Sequence, residues 1–244
     1  MEKTVLIAGK EYPAGSSLAS AAVNYNRKVV ITSPFGAEEN PEAVPATEIT
    51  TVAWNKSSSV SARSIVLQAE NAFQQVDEAI LVFDTAWLSP NFNSMTPELC
   101  SRAIDTMITS YFYLSMELVN RFIKQGGGTL VFMLKSAPVL ADTVSTGTVR
   151  DDNSSIPAGI LPASAQATFK ALAESTAAKY AEKEGLKFFL VNAEYEVPDS
   201  QFAGWMFEYI DAVSVSRPKQ DIRHACQWIK IGSKPPASFP FFRK

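Results

Sequence analysis

The residues best equipped for chemistry stand just after short apolar runs. Val5 to Ala8 leads into Gly9-Lys10-Glu11-Tyr12-Pro13-Ala14-Gly15-Ser16-Ser17, where an alanine-rich helical pattern begins. Two glycines at a strand-to-helix turn allow backbone N–H groups, and the positive end of the helix, to approach a phosphate. The same glycines serve a tight turn that holds no ligand, so both readings stay open here. Asp84 follows a second apolar run, Ala79 to Phe83, where a carboxylate either works in a site or caps a turn. Lys170 lies in an alanine-rich helical stretch, either on its solvent face or turned toward a site. The one histidine, His224, sits beside Cys226 on a late helical pattern and suits packing better than catalysis. Cys100 and Cys226 have no metal-ligand spacing, so neither a disulfide scaffold nor a His/Cys metal site is expected.

Positioning these residues requires strands that alternate with helices. Apolar runs at Val5–Ala8, Val29–Ile31, Ile49–Trp54, Ala79–Phe83, Thr129–Leu134 and Lys187–Val191 predict strands. Between them, helical periodicity covers Ser16 to Asn24, Val60 to Gln75, Pro97 to Lys124 and Ala163 to Glu184, with a further helix around Asp221 to Ile229. The glycines at 126, 127 and 128 form a stop for the long third helix. Such alternation predicts an α/β, doubly wound parallel sheet of Rossmann-like type, with residues 1–244 as a single domain. The Ser/Thr/Asp/Gly/Pro-rich stretch 137–162 is expected to be a long loop or lid, and 230–244 an irregular C-terminal tail.

Composition narrows the function. Twenty-two Lys and Arg against 25 Asp and Glu, scattered without runs, suggest neither a nucleic-acid partner nor an anionic membrane surface. No stretch has the length of a membrane span or the look of a leader, so a cytoplasmic protein is expected. In an open parallel sheet, ligands bind beyond the carboxyl ends of the strands, which directs attention to the loops after Ala8, Ile31, Phe83, Leu134 and Val191.

The turn from Gly9 to Gly15 resembles the Gly-x-x-x-Gly-x-Gly turn of short-chain dehydrogenases/reductases, with Pro13 at the middle glycine. Gly128-Thr129-Leu130-Val131 looks like the strand that leads to that family's catalytic serine. Ala163 to Ala173 looks like its Tyr-x-x-x-Lys helix, and the likeness runs from residue 4 to about 194. The resemblance implies a cofactor site at Gly9, Gly15, Ser16, Ser33, Asp84 and Lys170, and a degenerate catalytic set of Lys170, Ser136 and Gln166. Gln166 falls on the tyrosine position, Met107 on the helical asparagine, and Lys135 or Ser136 on the serine. No tyrosine occurs between Tyr113 and Tyr180, and neither of those is four residues before a lysine, so the loss is independent of alignment. Glutamine donates hydrogen bonds but is no acid or base at neutral pH.

Phe83-Asp84-Thr85-Ala86 stands where the family has Asn-Asn-Ala-Gly, and Thr32-Ser33-Pro34 replaces the usual acidic reader of a ribose. NAD or NADP is the cofactor the resemblance implies, with no bound cofactor as the alternative. Two readings follow: a binding or interaction protein that has lost the Tyr/Lys chemistry, or an NAD(P)-dependent oxidoreductase with non-standard residues. The expected partners are a dinucleotide or other small molecule and further copies of the chain, as a homodimer or homotetramer. Tyr111-Phe112-Tyr113 and Met116 serve either the core or that interface.

Overall fold

A computed structural model describes residues 2–36, 49–92, 96–137, 159–216 and 222–235. The strands are β1 (Lys3–Ala8), β2 (Arg27–Pro34), β3 (Ile49–Trp54), β4 (Glu78–Asp84), β5 (Gly128–Ser136), β6 (Leu186–Glu194) and β7 (Trp228–Lys230). They form one sheet in the order β3-β2-β1-β4-β5-β6-β7, with every neighbouring pair parallel. The helices are α1 (Ser16–Asn24), α2 (Ser59–Phe73), α3 (Thr85–Leu88), α4 (Pro97–Ile104), α5 (Ser110–Gln125), α6 (Ile160–Tyr180), α7 (Asp199–Ser216) and α8 (Ile222–Ala225). The chain is a single Rossmann-like α/β domain, as its alternation predicts.

Period-two alternation in the central strands builds a core on each side of the sheet. Ala79, Leu81 and Phe83 of β4, with Leu130, Phe132 and Leu134 of β5, join the core under α2, α5 and α6. Ile80, Val82, Val131 and Met133 point the other way, onto α1 and α7. Local signals fix several boundaries. Ser58 caps α2 by accepting the Ser61 N–H, and Thr96 caps α4 just ahead of Pro97. Gly126, at φ 85°, ends α5 in the left-handed region, and the Gly127 N–H closes the turn on the Phe122 carbonyl.

The amino ends of the strands are tied by buried charge. Arg27, 1% exposed, donates to Glu78 at 2.6 Å and to Asp211 of α7 at 2.8 Å, while its guanidinium lies over the Phe207 ring. Lys3 reaches the same two carboxylates.

Several expectations need correction. The stretch from Asp221 to Ile229 is not one helix: α8 is a single turn, and Trp228 and Ile229 add a seventh strand beside β6. Helix α7 was not expected at all, although it supplies much of one core. The helix from Pro97 to Lys124 is interrupted by a π-helical turn at Asp105–Thr109, and α6 starts at Ile160 rather than Ala163. Of the expected loop, 138–158 lie outside the described residues and 160–162 are already helical; of the expected tail, 236–244 lie outside them and Lys230 belongs to β7.

Candidate functional site

Strands β1, β4 and β5 are adjacent, and each ends in or is followed by a charged residue at its carboxyl end. Lys10 comes two residues after β1, Asp84 ends β4, and Lys135 is its register partner on β5. The opening residue of α7, Asp199, completes the group. The Lys10 Nζ donates to Asp84 Oδ2 at 2.7 Å and lies 2.6 Å from Asp199 Oδ2. The Lys135 Nζ donates to Asp199 Oδ1 at 2.7 Å and stands 3.7 Å from Asp84 Oδ2. Side-chain exposures of 11, 4, 12 and 7% for Lys10, Asp84, Asp199 and Lys135 put this ring of alternating charges largely out of water. Burial alone pushes the Asp199 carboxyl up, but hydrogen bonds from Lys10 and Lys135 outweigh it and hold the group below its ordinary range. Burial likewise opposes the charge on Lys10, yet its two carboxylate partners keep its affinity for the proton above normal.

Around this ring the glycine turn is closed upon itself. The Gly15 N–H donates to the Glu11 carbonyl at 2.9 Å and the Ser16 N–H to the Pro13 carbonyl at 3.0 Å. Two amides of the kind that would receive a phosphate are therefore already satisfied. Packing also explains both glycines: a Cβ on Gly9, at φ 110°, would meet the Val82 carbonyl oxygen at 2.0 Å, and one on Gly15 would meet the Lys10 carbonyl at 2.3 Å. Beneath Gly9, the buried Tyr111 hydroxyl donates to that Val82 carbonyl at 2.6 Å. Burial, with the nearby charges of Glu11 and Asp84, raises the phenol well above its usual value, so it stays protonated.

The remaining candidates take separate places in the fold. Asp84 caps α3 by accepting the Trp87 N–H at 3.1 Å, so its turn-capping role and its ion pairing coexist. Gln166 is buried on α6, where its Oε1 accepts the Thr85 hydroxyl at 2.6 Å. Ser136 donates to Asn192 Oδ1 at 3.2 Å and to the Ala193 carbonyl at 3.3 Å, which turns it toward β6. Lys170, half-buried one helical turn beyond Gln166, makes no ion pair among the described residues. Ser16 and Ser33 are half-buried, on α1 and β2 respectively. Met107 fills the first core from the π-helical turn. Tyr111 belongs to that core too, whereas Phe112, Tyr113 and Met116 are exposed. His224 is exposed on α8.

Sequence reasoning missed Lys10 and Asp199 as site residues. The available signal for Lys10 was a charged side chain within two residues of the apolar run, as at Asp84 and Lys135 on the two neighbouring strands; Asp199 carried no such signal. A nicotinamide dinucleotide, tested against these residues, fits poorly: its diphosphate would need donors that the Glu11 and Pro13 carbonyls already hold, beside the buried carboxylates of Asp84 and Asp199.

No protein-family model matches the chain, and no curated protein does. Solved structures match well in shape. A short-chain dehydrogenase from Mycobacterium smegmatis is 16% identical over 96% of this chain and 93% of its own, with a TM-score of 0.65. A 3-ketoacyl-(acyl-carrier-protein) reductase from Brucella melitensis, complexed with NADH, is 18% identical over 94% and 96%, with a TM-score of 0.61. ElxO with NADP bound is 18% identical over 79% of this chain and 73% of its own, with a TM-score of 0.58. The seven-stranded parallel sheet and its flanking helices are thus the fold of the short-chain dehydrogenases/reductases.

Proposed function

We propose that this chain is a binding protein on the short-chain dehydrogenase/reductase frame, one that takes a small ligand but does not transfer hydride by Tyr/Lys chemistry. The observation that carries this reading is the Lys10–Asp84–Asp199–Lys135 ring at the carboxyl ends of β1, β4 and β5. A network whose four charges cancel, each within hydrogen-bond reach of an opposite charge, is already satisfied and has little to offer a diphosphate. The side chain at the family's tyrosine position, Gln166, is likewise engaged, with Thr85. Without a proton donor at that place, a carbonyl reduction has no route for the proton that must follow the hydride.

One observation favours the second reading, an oxidoreductase using NAD or NADP: Lys170 has no ion-pair partner among the described residues, and similar folds hold NADP or NADH. The readings separate by turnover. The purified protein should oxidise neither NADH nor NADPH above the uncatalysed rate across a panel of aldehydes, ketones and enoyl compounds, whereas steady turnover that Lys170→Ala abolishes would support the oxidoreductase.

Self-association belongs to the same proposal. Phe112, Tyr113 and Met116 on α5 are 42, 38 and 45% exposed, an apolar strip suited to a second copy in a homodimer or homotetramer. Light scattering should give a multiple of the 26.6 kDa chain, and Met116→Glu should shift it toward the monomer. No helix among the described residues is long and apolar enough to cross a membrane; a cytoplasmic setting is part of the proposal.

A further inference from the structure

Helices α1 and α7 pack against the same face of the sheet, and between them lies a groove of about 320 Å³. Leu18, Ala19 and Ala22 of α1 and Phe202, Ala203 and Met206 of α7 turn to the core, so the groove receives the polar sides of both helices. Ser16, Ser17, Ser20 and Asn24 line it from α1, Ser200 lines it from α7, and Tyr25, just after α1, adds a phenol. None of these side chains makes a hydrogen bond among the described residues, and no charged residue lines the groove. The phenol is held in place: its ring packs on Phe207 with centroids 5.8 Å apart, and the Tyr25 carbonyl accepts the Arg27 guanidinium at 2.9 Å. Opposite it, Gly204 lies inside α7, where glycine is a poor helix former. A Cβ there would meet nothing nearer than the Tyr25 hydroxyl at 3.8 Å, an ordinary contact, and no left-handed φ requires glycine. Unlike Gly9 and Gly15, then, Gly204 is not demanded by packing, and it leaves open a space that alanine would take up.

We infer that this groove binds a small neutral polyol of monosaccharide size, lying over the bare backbone at Gly204 and exchanging hydrogen bonds with the serines, Asn24 and Tyr25. The lining selects this class. A hydroxyl both donates and accepts, so a set of hydroxyls and an amide matches the hydroxyls of a polyol in either sense. An ion would leave water for walls that hold no opposite charge, and an apolar molecule would cover these polar groups without giving them partners. The volume stands at the lower end of the range for small-molecule sites and suits one sugar ring rather than a dinucleotide. This rests on the proposed reading of the protein as a small-ligand binder and names the ligand class and its place. No member of the ion ring lines the groove, so the two sites are separately testable.

The experiment is saturation-transfer-difference NMR on the full chain. Glucose, myo-inositol and sorbitol serve as neutral probes, gluconate as a charged counterpart, cyclohexanol as an apolar one and NADH as the dinucleotide. At least one neutral polyol should show saturable transfer at millimolar concentration, with gluconate and cyclohexanol about tenfold weaker or less well bound still. Gly204→Ala separates binding from folding: alanine favours the helix and fits the space, so the urea midpoint should rise, while the added methyl should weaken the polyol by about tenfold. Tyr25→Phe should keep the circular dichroism spectrum and lose a similar factor through its missing hydroxyl. Absence of saturable transfer from all three neutral polyols at tens of millimolar, unchanged affinity in Gly204→Ala, or gluconate binding more tightly than sorbitol would overturn this inference while leaving the reading of the ion ring intact. Saturable transfer to NADH with none to the polyols would overturn both.

Discussion

Replacing Lys10 by methionine probes the ion ring at its most connected member. Methionine keeps most of the aliphatic stem and deletes the ammonium, so packing changes little and charge changes by one. At the observed 2.7 Å from Asp84, an effective dielectric constant of about 20 gives roughly 6 kcal/mol of attraction, and the contact with Asp199 at 2.6 Å adds a similar amount. Desolvation of the buried groups cancels much of that gross figure. The variant is left with two largely buried carboxylates and only Lys135 to serve them, a state that typically costs about 3 to 5 kcal/mol. For a chain of this size, that corresponds to a fall in Tm of roughly 6 to 20 °C. The pH dependence has a definite sign. Loss of Lys10 removes one of the two donors that hold the Asp199 carboxyl low, so the penalty is greatest near neutrality and closes as pH falls toward about 4, where unfolded carboxylates also take up protons. Urea unfolding followed by circular dichroism at pH 7 and pH 4.5 measures both effects, and Lys10→Met/Asp199→Asn should recover part of the loss. A midpoint unchanged to within about 0.5 kcal/mol at pH 7 would refute the reasoning, because a surface lysine behaves in that way.

Other outcomes follow from the same contacts. Glu78→Ala strips Arg27, 1% exposed, of its closest carboxylate and should cost about 3 to 5 kcal/mol in urea unfolding. Gln166→Tyr should not create NADPH-dependent carbonyl reduction, since on the proposed reading Met107, a core side chain, stands where the family's relay asparagine would be, and Thr85 loses its acceptor; cofactor absorbance with a carbonyl panel checks it. Asp199 and Asp211 are both held below their ordinary range: burial acts against this, and hydrogen bonds from Lys10 and Lys135, or from Arg27 and Lys3, prevail. Their contribution is complete above the unfolded carboxylate value of about 4 and disappears as pH falls through the lower folded values, so acid unfolding should be less steep in Asp211→Asn.

Apolar alternation was enough to place six strands and the parallel topology, because a strand buried on both faces leaves a run of Val, Ile, Leu and Phe that few other elements show. The seventh strand escaped because Trp228–Lys230 is three residues long and only its pairing with β6 defines it. Helix α7 was legible in principle: Phe202, Met206, Tyr209 and Val213 recur at helical spacing, with Ala203, Phe207 and Ile210 beside them. The absence of any tyrosine between Tyr113 and Tyr180 was readable without any structure, since it depends on residue identity alone. The ion ring was not, because Asp199 is 64 residues from Lys135 and only the order of β1, β4, β5 and β6 brings them together. Likewise, Gly9 and Gly15 fit an anion-binding turn in sequence, and the carbonyls of Val82 and Lys10 that actually demand glycine there are visible only in three dimensions.

The most direct test of the central claim is a calorimetric titration of the unmodified protein with NADPH and with NADH. With the ring between β1, β4, β5 and α7 closed, neither should give saturable heat at millimolar concentration. Micromolar binding of either one, abolished by Lys170→Ala, would contradict the account and identify the crevice as a working dinucleotide site.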